Sequence, residues 1–273
     1  MVGEREFLVG GGLFARFWAP ERAKGTLAIV HGYGEHSGRY RDFSAWLAGR
    51  GWRVVACDLP GHGRSPGRRG HIRRFSDYLA AVEATLAAAG GAAPVFLLGH
   101  SLGGLIAASY LELEPRAASG LILSSPFFGL ALPVPAWKRA LAGMLSRLWP
   151  AASLPSRIRP EDLSHDPKVV EAYRRDPLVH RVATARWFSE VLAAQAAALR
   201  DAPKLQVPVL IVQGEEDRLA QVAATRAFAA ACGSPDLTLK LYGGLYHETL
   251  NELGRERVWG DVLDWLEERR ERV

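Results

Sequence analysis

At 273 residues and 48% apolar composition, the chain has the length of one α/β unit with an insertion and ample material for a core, which excludes intrinsic disorder. No run of 18 uncharged apolar residues occurs, and the Glu4-Arg5-Glu6 start has no uninterrupted apolar stretch, so neither a transmembrane helix nor a signal peptide is expected. The net charge of +5 lies entirely between Phe127 and Arg200, where eleven Lys/Arg meet six Asp/Glu while the rest carries 23 of each; no nucleic-acid module pattern accompanies it.

Thr26–Val30 reads as a buried strand and delivers the loop His31-Gly32-Tyr33-Gly34-Glu35-His36-Ser37-Gly38-Arg39-Tyr40. Gly32 and Gly34 let the backbone turn inward there. A phosphate cradle is the other use of such a loop, but no G-x-x-x-x-G-K-[ST] or complete dinucleotide fingerprint is present. A helix over 40–50, a strand at Trp52–Cys57, a helix over 75–89 and a strand at Val95–Leu98 follow. That last strand runs into Gly99-His100-Ser101-Leu102-Gly103, and a small-residue helix over 102–113 opens at once. A serine on such a sharp strand-to-helix turn exposes its hydroxyl above the sheet, and glycines two before and two after keep side chains from clashing. The Leu102 N–H then points at the oxygen of an attacked ester, at the positive end of the helix. The plain alternative is a glycine-rich turn that merely contains a serine.

After a strand at Gly120–Leu123 the α/β rhythm breaks. From Pro126 to Pro208 no strand is expected, and prolines cluster at 126, 133, 135, 150, 155, 160 and 167. Trp137, Leu141, Met144, Leu145 and Leu148 fall at helical spacing, and a second helix is expected over 184–199. These features predict a helical cap, residues 127–200, inserted after the sixth core strand between core segments 1–126 and 201–273. The α/β pattern resumes with a strand at Val207–Val212, a helix near 221–231, a strand at Leu237–Leu241 and a helix over 256–270. Short apolar strands alternating with helices predict a mostly parallel sheet buried on both faces. Cys57 and Cys232 lack metal spacing and are expected as small buried hydrophobes of a reduced, cytoplasmic protein.

A serine nucleophile needs a base, and the base needs an orienting carboxylate. Sheet topology directs the search beyond the carboxyl ends of the strands. Gln213-Gly214-Glu215-Glu216-Asp217 follows one late strand, and Gly243-Gly244-Leu245-Tyr246-His247-Glu248 follows the other. Asp217 lies deepest in its loop, so Ser101, Asp217 and His247 are the expected triad, in the chain order of α/β-hydrolases. Of the other histidines, His31, His62 and His100 sit in Gly-flanked loops, while His36, His71, His165 and His180 read as surface or turn residues. The Tyr33 N–H, after the first strand, is the expected partner of Leu102 N–H in an oxyanion hole.

The loop 31–40, Asp58-Leu59-Pro60-Gly61-His62-Gly63-Arg64-Ser65-Pro66-Gly67, Gly99–Gly104, Ser124-Ser125-Pro126, Asp176-Pro177-Leu178-Val179 and His247-Glu248-Thr249-Leu250-Asn251-Glu252 together resemble the monoacylglycerol lipases and their lysophospholipase-like relatives. The matches run over nearly the full length. The resemblance implies an α/β-hydrolase fold, ester hydrolysis on single-chain glycerides, no metal or cofactor, and the same triad and oxyanion donors. Tyr33 departs from the small residue often seen at its position, and its ring is expected to narrow the leaving-group side of the pocket.

Phe127, Phe128, Leu130, Leu132, Trp137 and Leu141 are the expected acyl-lining or rim residues, with plain cap-to-core packing as the alternative for each. Lys138, Arg139 and Arg147 flank the apolar stripe, and this predicts peripheral contact with anionic lipid at the inner membrane face. A lysophospholipase, a general carboxylesterase, an amine-binding peptidase and a catalytically silent receptor remain competing readings.

Overall fold

The computed structural model describes residues 3–90, 94–131, 134–156 and 158–271, so Leu132 lies outside the described residues. The first segment runs β1 (Glu4–Val9), β2 (Leu13–Trp18), β3 (Thr26–Val30), α1 (Arg41–Ala48), β4 (Arg53–Cys57), α2 (Ser76–Ala89), β5 (Val95–His100), α3 (Leu102–Leu113) and β6 (Gly120–Ser124). Then come α4 (Ala136–Leu148), β7 (Ser153–Pro155), α5 (Pro167–Arg175), β8 (Val182–Thr184) and α6 (Ala185–Asp201). The chain closes with β9 (Val209–Gly214), α7 (Val222–Ala231), β10 (Leu237–Tyr242) and α8 (Arg255–Arg270).

Eight strands share one sheet in the order β1-β2-β4-β3-β5-β6-β9-β10. The pairs β1/β2 and β2/β4 are antiparallel and all others parallel, which is the α/β-hydrolase fold expected from the sequence. The central strands β3, β6 and β9 are buried at every position, because their uninterrupted Val/Ile/Leu runs face helices on both sides. One face packs α2, α3, α6 and α7 around Val82, Leu105, Ile106 and Phe228. The other packs α1 and α8 around Trp18, Phe43, Phe96, Trp259 and Trp265. The exposed positions of edge strand β1 carry Arg5, Glu6 and Leu8, and polar groups along such an edge discourage pairing with another chain.

Register decides where the loops emerge. Val30 pairs with Gly99, Gly99 with Leu123, and Ser124 with Val212, so β3, β5, β6 and β9 end at one level. The loops that follow them open on the same side of the sheet.

The stretch read as strandless holds the short antiparallel pair β7/β8, with Ser153 opposite Thr184, and an additional helix, α5. Three-residue strands leave no periodicity to read. The helix α6 buries Trp187, Val191, Ala194 and Ala198 in the same cluster as the sheet residues, so it is at once part of the inserted segment and a core layer. Cys57 is buried as expected, whereas Cys232 is only half-buried.

Candidate active site

Ser101 occupies the turn between β5 and α3 with φ 52° and ψ −117°, a region that costs a non-glycine residue about 1–3 kcal/mol. The surroundings enforce it. The Ser101 N–H donates to Ser124 O at 2.9 Å, and Ser101 O accepts from Gly104 N–H at 2.9 Å, Leu105 N–H at 3.2 Å and Phe127 N–H at 2.9 Å. A Cβ on Gly99 would collide with the Gly103 backbone, and one on Gly103 with the carbonyls of Val30 and His31. The glycine spacing read from the sequence is therefore a packing requirement of the elbow. The Leu102 N–H lies in the first turn of α3, where amides have no intrahelical acceptor.

His247 and Asp217 meet across the loops after β10 and β9. Asp217 Oδ1 and Oδ2 lie 3.0 and 2.9 Å from His247 Nδ1. A carboxylate only accepts, so Nδ1 carries the proton and Nε2 is left as the basic nitrogen. Asp217 also accepts from Leu219 and Ala220 N–H, each at 2.9 Å, and from Gln213 Nε2 at 3.0 Å. Burial pushes the Asp217 carboxyl up, but the His247 charge and these hydrogen bonds outweigh it and hold it below its ordinary value. For His247, burial favours the neutral ring, yet the Asp217 charge and hydrogen bond win and raise it. The His247 ring packs at 4.9 Å from that of His100, which precedes the serine. Among the described residues Ser101 Oγ has no hydrogen-bond partner, and the link from the elbow to His247 is the ring of His100, the residue before the serine.

The loop after β3 is braced by a buried charge network that sequence reasoning missed. Glu35 Oε1 accepts from Gly32 N–H at 2.5 Å and from the Tyr40 hydroxyl at 2.7 Å. Arg39 Nε lies 3.1 Å from Glu35, and Arg39 Nη2 lies 2.6 Å from Glu248, the neighbour of His247. Burial alone would raise the Glu35 carboxyl; His100 and Arg39 reverse this and hold it below the usual range. The network ties the Tyr33 loop to the His247 loop. Its sequence signal was the charged pair inside an otherwise small-residue loop. Glu252 was also missed: fully buried, it accepts from Tyr246 N–H, His165 N–H and Ser164 Oγ within 3.0 Å and joins the histidine loop to the inserted segment.

Among the described residues the Tyr33 N–H has no hydrogen-bond partner, and Gly34 has φ +76°. The ring of Tyr33 packs on Trp187 at 4.4 Å and its hydroxyl donates to Val182 O at 2.6 Å, so it is turned toward the inserted segment. His36 and His180, read as surface or turn residues, are buried between that segment and the sheet layer. His36 Nε2 bonds Asp176 at 2.9 Å.

Phe127 leaves the sheet bonded to Ser101 through its backbone, Phe128 stacks on Phe228 of α7 at 3.8 Å, and Leu130 bridges to Ala220. Trp137 and Leu141 stand exposed on α4, at 64% and 42%. Surface cavities of about 550 and 670 Å³ flank Arg186 and Glu190 of α6; neither is lined by Ser101, Asp217 or His247.

Fold and strand-end geometry together define an α/β-hydrolase, an enzyme built for acyl transfer to water. The family model described as serine aminopeptidase S33 matches residues 21–254, and the chain belongs to that family. The monoacylglycerol lipase of Mycolicibacterium smegmatis is 34% identical over 254 residues, covering 91% of this chain and 90% of its own. Phospholipase YtpA of Bacillus subtilis is 33% identical over 246 residues, covering 89% and 95%. The solved monoacylglycerol lipase of Paleococcus ferrophilus has a TM-score of 0.86 at 31% identity, covering 98% of this chain and 99% of that one. The resemblance read from the loops thus holds over nearly the whole chain.

Proposed function

We propose that this hydrolase cleaves esters of single-chain lipids, first among them monoacylglycerol to glycerol and fatty acid, through an acyl-enzyme on Ser101. The observation that carries the reading is the pairing of Asp217 with His247 Nδ1, whose ring lies 4.9 Å from that of His100, the residue before the strained Ser101. His247 Nε2 takes the Ser101 proton as Oγ attacks the ester carbonyl, and Asp217 stabilises the imidazolium. The N–H groups of Tyr33 and Leu102 donate to the oxyanion. Collapse of the tetrahedral intermediate expels the alcohol with a proton from His247, and water then repeats the sequence on the acyl-enzyme. The missing Ser101–His247 bond is compatible with this, since such bonds commonly tighten only with substrate.

The similarity to M. smegmatis and P. ferrophilus monoacylglycerol lipases supports the glyceride substrate, and that to YtpA supports lysophospholipid as the second reading. An amine-binding peptidase is disfavoured. The acids Glu161 and Glu171 are both engaged by Arg174, and Glu190 by Phe75 N–H and Arg186. Comparing mono-, di- and triacylglycerol with a lysophospholipid under one set of conditions tests the assignment, with Ser101→Ala as control. Preference for the lysophospholipid or for a short soluble ester would overturn it.

We further propose residues 127–200 as a cap on the core formed by 1–126 and 201–273, with Phe127, Phe128 and Leu130 toward the acyl chain. Trp137, Leu141, Met144 and Leu148 share one face of α4 and are 42–76% exposed, beside Lys138, Arg139 and Arg147. An exposed apolar stripe flanked by cations fits peripheral contact with an anionic membrane. Among the described residues no helix is long and apolar enough to cross one. Vesicle co-sedimentation should rise with anionic lipid and fall with salt; binding indifferent to both would sink the idea.

A further inference from the structure

Tyr33 connects two places that the proposed chemistry needs to coordinate: the backbone amide expected at the oxyanion and the segment expected to admit the lipid. Its hydroxyl donates to Val182 O of β8 at 2.6 Å, and its ring lies 4.4 Å from Trp187 and edge-on at 5.3 Å to His180. The next residue is locked to the same strap, with His180 N–H donating to Gly34 O at 2.9 Å. A Cβ at Gly34 would stand 2.6 Å from the His180 carbonyl, so the two backbones are in close contact. On the other side of the loop His36 Nε2 meets Asp176 Oδ2 at 2.9 Å.

The strap is itself anchored. Thr184 N–H donates to Gly70 O at 2.8 Å, Thr184 Oγ1 accepts from Trp187 N–H at 3.2 Å, and Trp187 Nε1 donates to the Tyr78 hydroxyl at 3.0 Å. From the inner side, by contrast, the donor loop is held through Gly32 N–H to Glu35, one residue before Tyr33. The position of the Tyr33 amide is therefore set from below by Glu35 and from above by residues 176–187.

We propose that the Tyr33 side chain is a strut through which β8 and α6 hold the Tyr33 N–H in oxyanion-binding geometry, so that displacement of this segment misaligns the donor. The side chain is a positioning group; the backbone N–H of the same residue touches the oxyanion. The proposal rests on the reading of Ser101 as nucleophile and Tyr33 N–H as donor. It has a direct consequence for turnover. A lipid that pushes the strap outward on entry lowers the rate until the strap reseats, while a short ester that leaves it in place reacts with the donor aligned.

Tyr33→Phe keeps the ring and removes the hydroxyl bond, so it isolates the strut. Loss of a whole oxyanion donor costs roughly 10²–10³ in rate, and a displaced one costs less. With p-nitrophenyl butyrate, and with active sites counted by a fluorophosphonate, Tyr33→Phe should lower kcat about tenfold with KM within about twofold. A trifluoromethyl ketone, which forms the tetrahedral adduct, should weaken in proportion to the loss in kcat/KM, a change that mere destabilisation would not cause. Trp187→Phe should act through the same strut, so the double variant should lose less than the product of the single losses. Hydrogen exchange of the unmodified fold supplies a readout independent of turnover: peptides covering 31–36 and 178–184 should both exchange faster in Tyr33→Phe. Unchanged kcat per active site and unchanged exchange, with Ser101→Ala inactive, overturns the strut and leaves the nucleophile intact. Turnover persisting in Ser101→Ala overturns the underlying reading instead.

Discussion

Ser101 at φ 52° and His247 bonded to Asp217 through Nδ1 are the two local states on which the proposed chemistry depends. Asp217→Asn keeps the shape but offers an amide that can donate to Nδ1, which favours the tautomer with its proton on Nε2. Turnover should fall by about 10⁴, with KM little changed, as measured by steady-state hydrolysis of a soluble ester. The pH dependence follows from the His247 shift. The ring must be neutral to accept the Ser101 proton, and its pairing with Asp217 raises the pH at which it loses its own. Activity should therefore rise with pH through an acid limb lying above the ordinary histidine value of 6.5, read from kcat/KM against pH. A limb below that value would contradict the assignment. Asp217 does not limit this range, because its carboxyl is held below its ordinary value and stays ionised. The Asp217–His247 pairing was legible because each partner stands in a loop after a recognisable strand, as does Ser101, the third member of the proposed triad. Of the Glu35–Arg39–Glu248 bracing only the Glu35–Arg39 pair stands together in sequence; Glu248 is 209 residues from Arg39, and only the fold brings it there.

At the scale of elements, legibility followed burial only in part: the buried β2 was not read from the sequence, whereas the half-buried β10 was. The strands β3, β4, β5, β6 and β9 announce themselves as apolar runs because helices cover both faces. By contrast, β1 mixes Glu4, Arg5 and Glu6 with Phe7, Leu8 and Val9, since an edge strand has little to bury, and it left no clear alternation. The helix α5 sits on the outside with only Tyr173 buried, so its sequence reads as a charged loop. Glycines sort the same way. Gly103 opens α3 where a Cβ would strike the Val30 carbonyl, whereas Gly143 lies inside α4 with nothing within 4 Å of its would-be Cβ. Gly143→Ala should stabilise by about 0.5–1 kcal/mol, through helix propensity and a less free unfolded chain. Gly103→Ala should destabilise by roughly 2 kcal/mol or more through forced backbone movement. Urea unfolding of both variants checks the contrast, and equal effects would mean that the elbow is less tightly packed than its contacts imply.

The whole molecule is a sheet layer and an overlying segment joined by buried polar ties: Asp176 to His36, Glu252 to Ser164 and His165, and Arg39 over the Tyr173 ring. One junction has unsatisfied groups. His180 lies 8% exposed, its ring held by no side chain and only weakly by the Val182 backbone, and 4.6 Å from the ring of His62, whose Nε2 is unpaired. Burial pulls His180 down to about 4, and Arg69 and His31 add to the shift; His62 is pulled well below its ordinary value, first by burial. A histidine held neutral in the fold but free to charge when unfolded gives stability that is complete above the unfolded value. It is lost as pH falls toward the folded value. For His180 the window is pH 6.5 to about 4, and its share is on the order of 3 kcal/mol. His247 acts in the opposite sense, since its raised value gives stability that is full at low pH and fades as pH rises. The buried neutral pair at the junction should therefore contribute to acid sensitivity alongside His31 and His100, which burial also holds down, and its protonation sets two like charges 4.6 Å apart between the layers. Urea denaturation at pH 7 and pH 4.5 should show a marked loss for the native sequence and a smaller one for His180→Leu, which fills the same space without a titrating ring. Proteolysis should at the same time open the 176–187 strap sooner at pH 4.5 in the native protein than in the variant. Equal losses in both proteins would place the acid sensitivity elsewhere and leave the junction a passive piece of packing.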